Sequence, residues 1–291
     1  DAGEHAGQRE GPARIDAADA RMGVRAPHED RVHHAGTHHV VHEPPAADEQ
    51  PRILEPLDRN TDEFHLEWPD YTIPAGTAFM IGIEFTTFSL IGRCERTGMF
   101  GIAIATSEMA VGSRCIHVAP GIGAVVTQAS TNPRLGHLGL NLMRAGYSAP
   151  RALQEIAASD QFVERRQLGC LDVTGLTAAR TGAENKPWAG HRADRNVVVA
   201  ANAVVSKEVA NAMFDVFQRS ADLALWERLL RSLEAGKAAG GQPNGEISSG
   251  LYVVDREPYA MVDLRVDLHP EPVAGLRRLG GAYLPLVRYY N

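Results

Sequence analysis

Lysine is nearly missing from this chain of 291 residues: Lys186, Lys207 and Lys237 are the only three, and arginine carries the rest of the positive charge. That usage fits a GC-rich coding sequence better than any binding function. Cysteine is equally sparse. Cys94, Cys115 and Cys170 stand far apart, with no Cys-x-x-Cys pair and no zinc spacing, so the expectation is three reduced thiols in a cytoplasmic protein. No apolar run reaches the roughly eighteen residues that a membrane span needs, and the polar first residues show no secretory signal. The strong catalytic signatures are missing too: there is no GxSxG elbow, no HExxH helix and no Walker loop.

What is present divides near residue 75. Residues 1–75 hold sixteen Asp and Glu against seven Arg, a charge of −9, while the remainder holds twenty acidic and twenty-two basic residues, or +2, within a formal −7 for the whole. The body is therefore nearly neutral, without the basic stripe that nucleic acid requires. The leader is rich in Ala, Pro, Glu, Asp and Arg and has no sustained period. Such a stretch cannot bury enough apolar surface to offset its ordering entropy. It is expected to be a disordered extension, a propeptide, or DNA translated from a start placed too far upstream. Eight of the twelve histidines lie in it, among them His33, His34, His38, His39 and His42 of "HHAGTHHVVH". A metal-binding tract is one reading of these, but no Cys joins them, and no metal site is expected. The organisation expected is an extension over 1–85 and one domain over 86–291.

After Pro74 regular patterns begin. "TTFSLIG" and "MFGIAIAT" are strand-like runs around "RCERTG", where Thr97-Gly98 supplies the turn, and together they read as a hairpin. Thr87, Ser89 and Ile91 share one face of the first strand, and Phe88 and Leu90 the other. Further strands are expected over 123–129, 167–173, 176–180, 197–201, 250–255 and 260–266. Helices are expected over 136–145, from Ser148 onward, over 221–238 and over 272–279. In the longest of them Leu223, Trp226, Leu229, Leu230 and Leu233 recur at helical spacing. Helices grouped between antiparallel strands point to an α+β protein of two sheets with helices on their outer faces.

The hydroxyl at the head of the first strand holds the chemical interest. A Thr at a true N-terminus carries its own base, because an α-amine with an ordinary pKa of about 8 lies close enough to neutrality to activate the adjacent hydroxyl. Thr is also simply a good strand residue, so Thr87 has a plain reading as well. His191 and His269 each stand alone, and a lone histidine is more often structural than catalytic.

The stretch "TFSLIGRCERTGMFGIAIATSEMAVGSRC", followed in order by "GIGAVVTQASTNPRLGHLGLNLMRAGYS", "RRQLGCLDVTG", Trp188-Ala189-Gly190, Asn202, "LLRSLEAGKAAGG" and "DLRVDLHPEPVAGLRRL", resembles a bacterial family of unknown function, the one numbered 1028. Its members look like Ntn (N-terminal nucleophile) hydrolases. The resemblance covers about residues 86 to 285 and implies a four-layer αββα sandwich of two antiparallel sheets. The family typically begins Met-Thr, so that removal of Met exposes Thr, and the matching residue here is Thr87. In this chain a free amine at Thr87 requires cleavage after Thr86. The chain departs from the family at "GGQPNG", where Gln242 and Asn244 replace a charged pair, and at Asp267-Leu268-His269, where the family often has Asp-Asp-His.

Two functions from different classes follow. The first is hydrolysis of a small amide or other C–N bond, with Thr87 as nucleophile and base and Asn202 as an amide donor to the oxyanion. Ser107, Gln128 and Asp267 would be substrate-binding residues at strand ends, and Trp188 a wall of the pocket or part of the core. That chemistry needs no metal or organic cofactor. The second is a non-catalytic small-molecule binding or assembly protein on the same scaffold. In either case the partners expected are a small molecule and a second copy of the chain, with no nucleic acid and no membrane. The homodimer expectation rests on the prevalence of symmetric homo-oligomers and on the apolar tail "AYLPLVRYY".

Overall fold

The alternation in "TFSLIGR" becomes strand β1 (Thr87–Arg93), which turns through "CERTGM" into β2 (Phe100–Thr106). The two pair antiparallel from Thr87–Thr106 to Arg93–Phe100. The computed structural model describes residues 86–289, and the expected extension over 1–85, with its histidine tract, lies outside them. Next come β3 (Ile116–Ala119), β4 (Gly123–Ala129), helices α1 (Pro133–Arg144) and α2 (Ala149–Ser159), β5 (Arg166–Asp172), β6 (Thr177–Thr181), β7 (Gly190–Asp194) and β8 (Val197–Asn202). Helices α3 (Glu208–Arg219) and α4 (Leu225–Ala238) precede β9 (Ser248–Val254) and β10 (Ala260–Val266), and α5 (Pro272–Tyr283) runs into a last helical turn at Leu284–Tyr289. The strands form a six-stranded sheet in the order β10-β9-β2-β1-β8-β7 and a four-stranded sheet in the order β3-β4-β5-β6. Every pairing is antiparallel.

Three apolar clusters separate four layers. Phe88 and Leu90 on one face of β1 meet Met213 and Phe217 of α3 and Leu229 and Leu233 of α4, on the outer side of the larger sheet. Ile91, on the other face of β1, joins Ile102, Ile104, Val126, Leu171 and Val198 between the sheets. Val125, Leu168 and Cys170 pack under Leu140 of α1 and Ile156 of α2 on the outer side of the smaller sheet. The protein is thus an α+β sandwich layered αββα. Burial of each large aliphatic side chain contributes roughly 1.5–3 kcal/mol, and β1 supplies two clusters at once. Gly92 lets α3 and α4 come close to that strand: a β-carbon there would lie 2.6 Å from the Phe217 ring.

Three elements lack an expectation from the sequence. They are β3, β7 and α3, and two helices differ in their starts. Helix α1 begins at Pro133, where Asn132 accepts a hydrogen bond from the Arg134 N–H at 3.2 Å. An Asn before a Pro is a good cap and first helical residue. Helix α4 begins at Leu225, so Ala221–Leu223 lie before it.

Candidate functional site

Where β1 begins, the inward face of the larger sheet changes from apolar to polar. Thr87 pairs with Thr106 on β2 and with Asn202 on β8, and Thr106 pairs with Ser248 on β9. Directly opposed residues of an antiparallel pair point to the same side, so these four form one row. The smaller sheet answers with its own row, in which Gln128 pairs with Gln167 and Gln167 with Thr181. Apart from the half-buried edge strand β6, these strands are buried on both faces, so their polar ends must satisfy one another.

They do so through one network. Ser89 Oγ donates to Gln128 Oε1 at 2.5 Å, Gln128 Nε2 donates to Gln167 Oε1 at 2.7 Å, and Asn202 Nδ2 donates to the same oxygen at 2.9 Å. Gln167 Nε2 faces Thr181 Oγ1 at 2.8 Å and the carbonyls of Gly190 and Ala201, each at 3.0 Å. Carbonyls only accept, so they set which end of the Gln167 amide is nitrogen. That choice in turn orients Gln128 and Asn202. One atom is left over: Asn202 is 1% exposed, and its Oδ1 has no hydrogen-bond partner. Asn202 therefore offers a free acceptor beside Thr87, one of its two N–H groups being given to Gln167.

Thr87 is 4% exposed and its Oγ1 lies 3.2 Å from Thr106 Oγ1. Thr106 uses its single hydroxyl proton on the Thr86 carbonyl, at 2.5 Å. Thr87 is accordingly the donor in the contact between the two hydroxyls. The Thr86 hydroxyl is in turn 2.6 Å from Ser107 Oγ. The Thr106 hydroxyl thus bonds the very peptide whose cleavage would give Thr87 a free amine, with the hydroxyls of Thr86, Thr87 and Ser107 close by.

Of the residues singled out in the sequence, Thr87, Asn202, Ser107 and Gln128 come together here, Gln128 through the glutamine network. Trp188 does not join them. Its half-buried ring packs against the outer cluster under α3 and α4 and over Gly190. Asp267 is exposed and lies 3.6 Å from Arg265, and its carbonyl accepts from the Ala110 N–H. His269 accepts on Nδ1 from the Glu271 N–H at 2.9 Å, and His191 Nδ1 meets Thr181 Oγ1 at 2.9 Å. Thr106, Gln167 and Thr181 are not among the site residues expected from the sequence. Their signal is register: Thr106 and Thr181 end their strands and Gln167 is second in its own, level with Thr87 or with Gln128. Among the described residues no cluster of three or more His, Cys, Asp or Glu is placed to hold a metal ion.

The comparisons with known proteins bear on this same strand. The profile of the family of unknown function DUF1028 matches residues 87–276, beginning on Thr87. A solved structure of a DUF1028 protein from Silicibacter pomeroyi superposes with a TM-score of 0.64 at 29% identity, over 68% of this chain and 89% of that one. Anbu (ancestral beta-subunit) from Yersinia bercovieri gives a TM-score of 0.34 at 11% identity, over 69% of this chain and 96% of that one, a likeness too remote to bear on fold or chemistry. No curated protein matches. With a matching profile that spans the larger part of the chain and begins at the head of β1, the chain belongs to the family of unknown function DUF1028.

Proposed function

We propose that the protein is an N-terminal-nucleophile hydrolase of a small amide or related C–N bond, with Thr87 as both nucleophile and base once the bond after Thr86 is cleaved. The observation that carries this reading is the position of Thr87. It heads a central strand, on the inward face, with the free acceptor of Asn202 on one side and the Thr106 hydroxyl on the other. In the reaction the freed amine takes the proton from Oγ1 as the oxygen attacks the substrate carbonyl. The tetrahedral oxyanion collapses, the C–N bond breaks, and the leaving nitrogen takes the proton from the amine. Water then hydrolyses the Thr87 ester by the same route and restores the hydroxyl. Asn202 Oδ1 would hold the amine by accepting one of its N–H groups. The Thr106 hydroxyl, released from the Thr86 carbonyl, would be a donor for the developing oxyanion, a role typically worth about 3–4 kcal/mol in other hydrolases.

A second reading, a binding or assembly protein, draws on one observation: in this sequence Thr86 is peptide-bonded to Thr87, so its nitrogen is an amide without basicity. One experiment separates the two. The mass of the purified chain is measured, and turnover of a panel of small amides is compared between the full chain and a chain beginning at Thr87. The hydrolase reading expects turnover only where Thr87 is the first residue. Thr87→Ala should abolish it with the fold intact, and Thr87→Ser should retain part of it. Equal activity in the blocked and exposed chains, or none in either, would overturn the reading.

A further inference from the structure

The two sheets differ in width. The six-stranded sheet is wider than its four-stranded partner: β3, the last strand of the smaller sheet, packs against β9, and β10 continues beyond it. This strip of inward face carries Tyr252 of β9 with Asp263 of β10 directly opposite. Arg265 follows on the same side of β10, two residues on. Around the open edge of β3, between the strip and α1, lies a groove of about 320 Å³.

Its other wall carries two histidines. The rings of His117 and His137 meet edge to face with centroids 4.8 Å apart. His117 is 7% exposed and its Nε2 has no hydrogen-bond partner. Burial, and then the charge on His137, push its pKa down to about 4, while a bond to the Arg114 backbone works the other way. In the neutral ring with its proton on Nδ1, the orphan Nε2 is an acceptor in need of an N–H or O–H.

We propose that this groove binds a compact zwitterion of the α-amino acid class, with its carboxylate on Arg265, its ammonium between Asp263 and His117 Nε2, and an aliphatic side chain on Ile116, Val118 and Leu140. Both charges required are present and accessible. Asp263 and Arg265 are exposed, and among the described residues Arg265 makes one ion pair, the loose 3.6 Å contact with Asp267. A phosphate would meet a single arginine beside a repelling Asp263. A metal ion would find no cluster of three ligands among the described residues. An amino acid uses the acid, the base and the buried acceptor together, and places its apolar part on the apolar wall. The proposal is independent of Thr87.

The test is a titration of the full chain with L-leucine, followed by NMR of the histidine ring signals. Saturable shifts of His117 and His137 are expected. Asp263→Asn and Arg265→Gln, both surface changes, should each weaken binding by about tenfold or more, as loss of a charge-assisted hydrogen bond does. Leucinamide, which lacks the carboxylate, and isocaproate, which lacks the ammonium, should bind more weakly by a similar factor. The proposal fails if L-leucine at tens of millimolar leaves both rings unmoved. It also fails if either analogue binds as tightly, or if both variants bind as the wild type does.

Discussion

Gln167 is the residue on which the two sheets agree. Its one oxygen takes two side-chain N–H groups, and its nitrogen answers a hydroxyl and two backbone carbonyls. Replacing it with leucine of similar bulk would leave several of those groups buried without partners, each at a cost of about 1–3 kcal/mol. Gln167→Leu should therefore destabilise the protein by on the order of 4 kcal/mol, read as a shift in a denaturant midpoint at unchanged slope. A change within about 1 kcal/mol of zero would mean that the network carries little net stability. His117 offers a second measurement. Its pKa is about 4 in the folded protein against an ordinary value near 6.5. In the unfolded chain it binds a proton as the pH falls below 6.5, while the folded chain stays neutral, so protons favour unfolding across that window. The stability present above pH 6.5 should be lost as the pH falls to about 4, amounting to about 3 kcal/mol for this one group. His117→Phe should flatten that part of the pH profile, and parallel profiles for wild type and variant would refute the assignment.

Strands that face two apolar layers were legible, as were the amphipathic helices α1, α2, α4 and α5 and the half-buried β6 and β10, whereas the short or polar β3 and β7 were not. The strands β1, β2, β4, β5, β8 and β9 are nearly continuous apolar runs because a helix or a sheet covers each face. The edge strand β7, "GHRAD", has no such run. Its His191 reaches Thr181, and its Arg192 lies 3.0 Å from Asp215 and over the Phe214 ring of α3. Strand β3 is four residues long and breaks its pattern with His117. Helix α3 did carry a signal, since Val209, Met213 and Phe217 recur every four residues, but its start at Lys207 has no capping side chain. In the candidate site, Thr87 and Asn202 were legible as single residues. Their common row was not, because register is a property of pairing. The last helix shows how such polar contacts can hold an element. Arg277 of α5 grips Glu234 with two bonds of 2.7 and 2.6 Å and reaches Glu227 at 2.7 Å, both on α4. Arg277→Met keeps the stem and removes the fork, and should cost about 1–2 kcal/mol, as a partly exposed bidentate pair does. Thermal denaturation should show the loss shrinking in high salt, and an unchanged midpoint at low salt would contradict it.

At the scale of the whole molecule the C-terminal segment divides its work. Leu284 and Val287 pack onto the outer cluster beneath α5. Leu286 and Tyr289 of the same turn are 44% and 69% exposed, and Leu279 of α5 is exposed as well. A segment that only covered its own core would not hold these apolar side chains outward. Single exposed apolar residues are ordinary on a monomer, but several on one terminal segment suit a self-complementary patch, since in a twofold dimer the same surface serves both copies. The expectation is a homodimer through this segment. Light scattering on the full chain at micromolar concentration should give twice the 31.5 kDa chain mass. Leu286→Glu with Tyr289→Glu should give the single mass, because four like charges would face one another across the twofold axis. A monomer mass for the wild type would refute the dimer, and a dimer that survives both substitutions would move the interface elsewhere. Neither side chain belongs to the cluster beneath α5, so the double variant should unfold at the wild-type monomer's midpoint. Loss of the dimer could then be read as loss of contact and not as loss of fold.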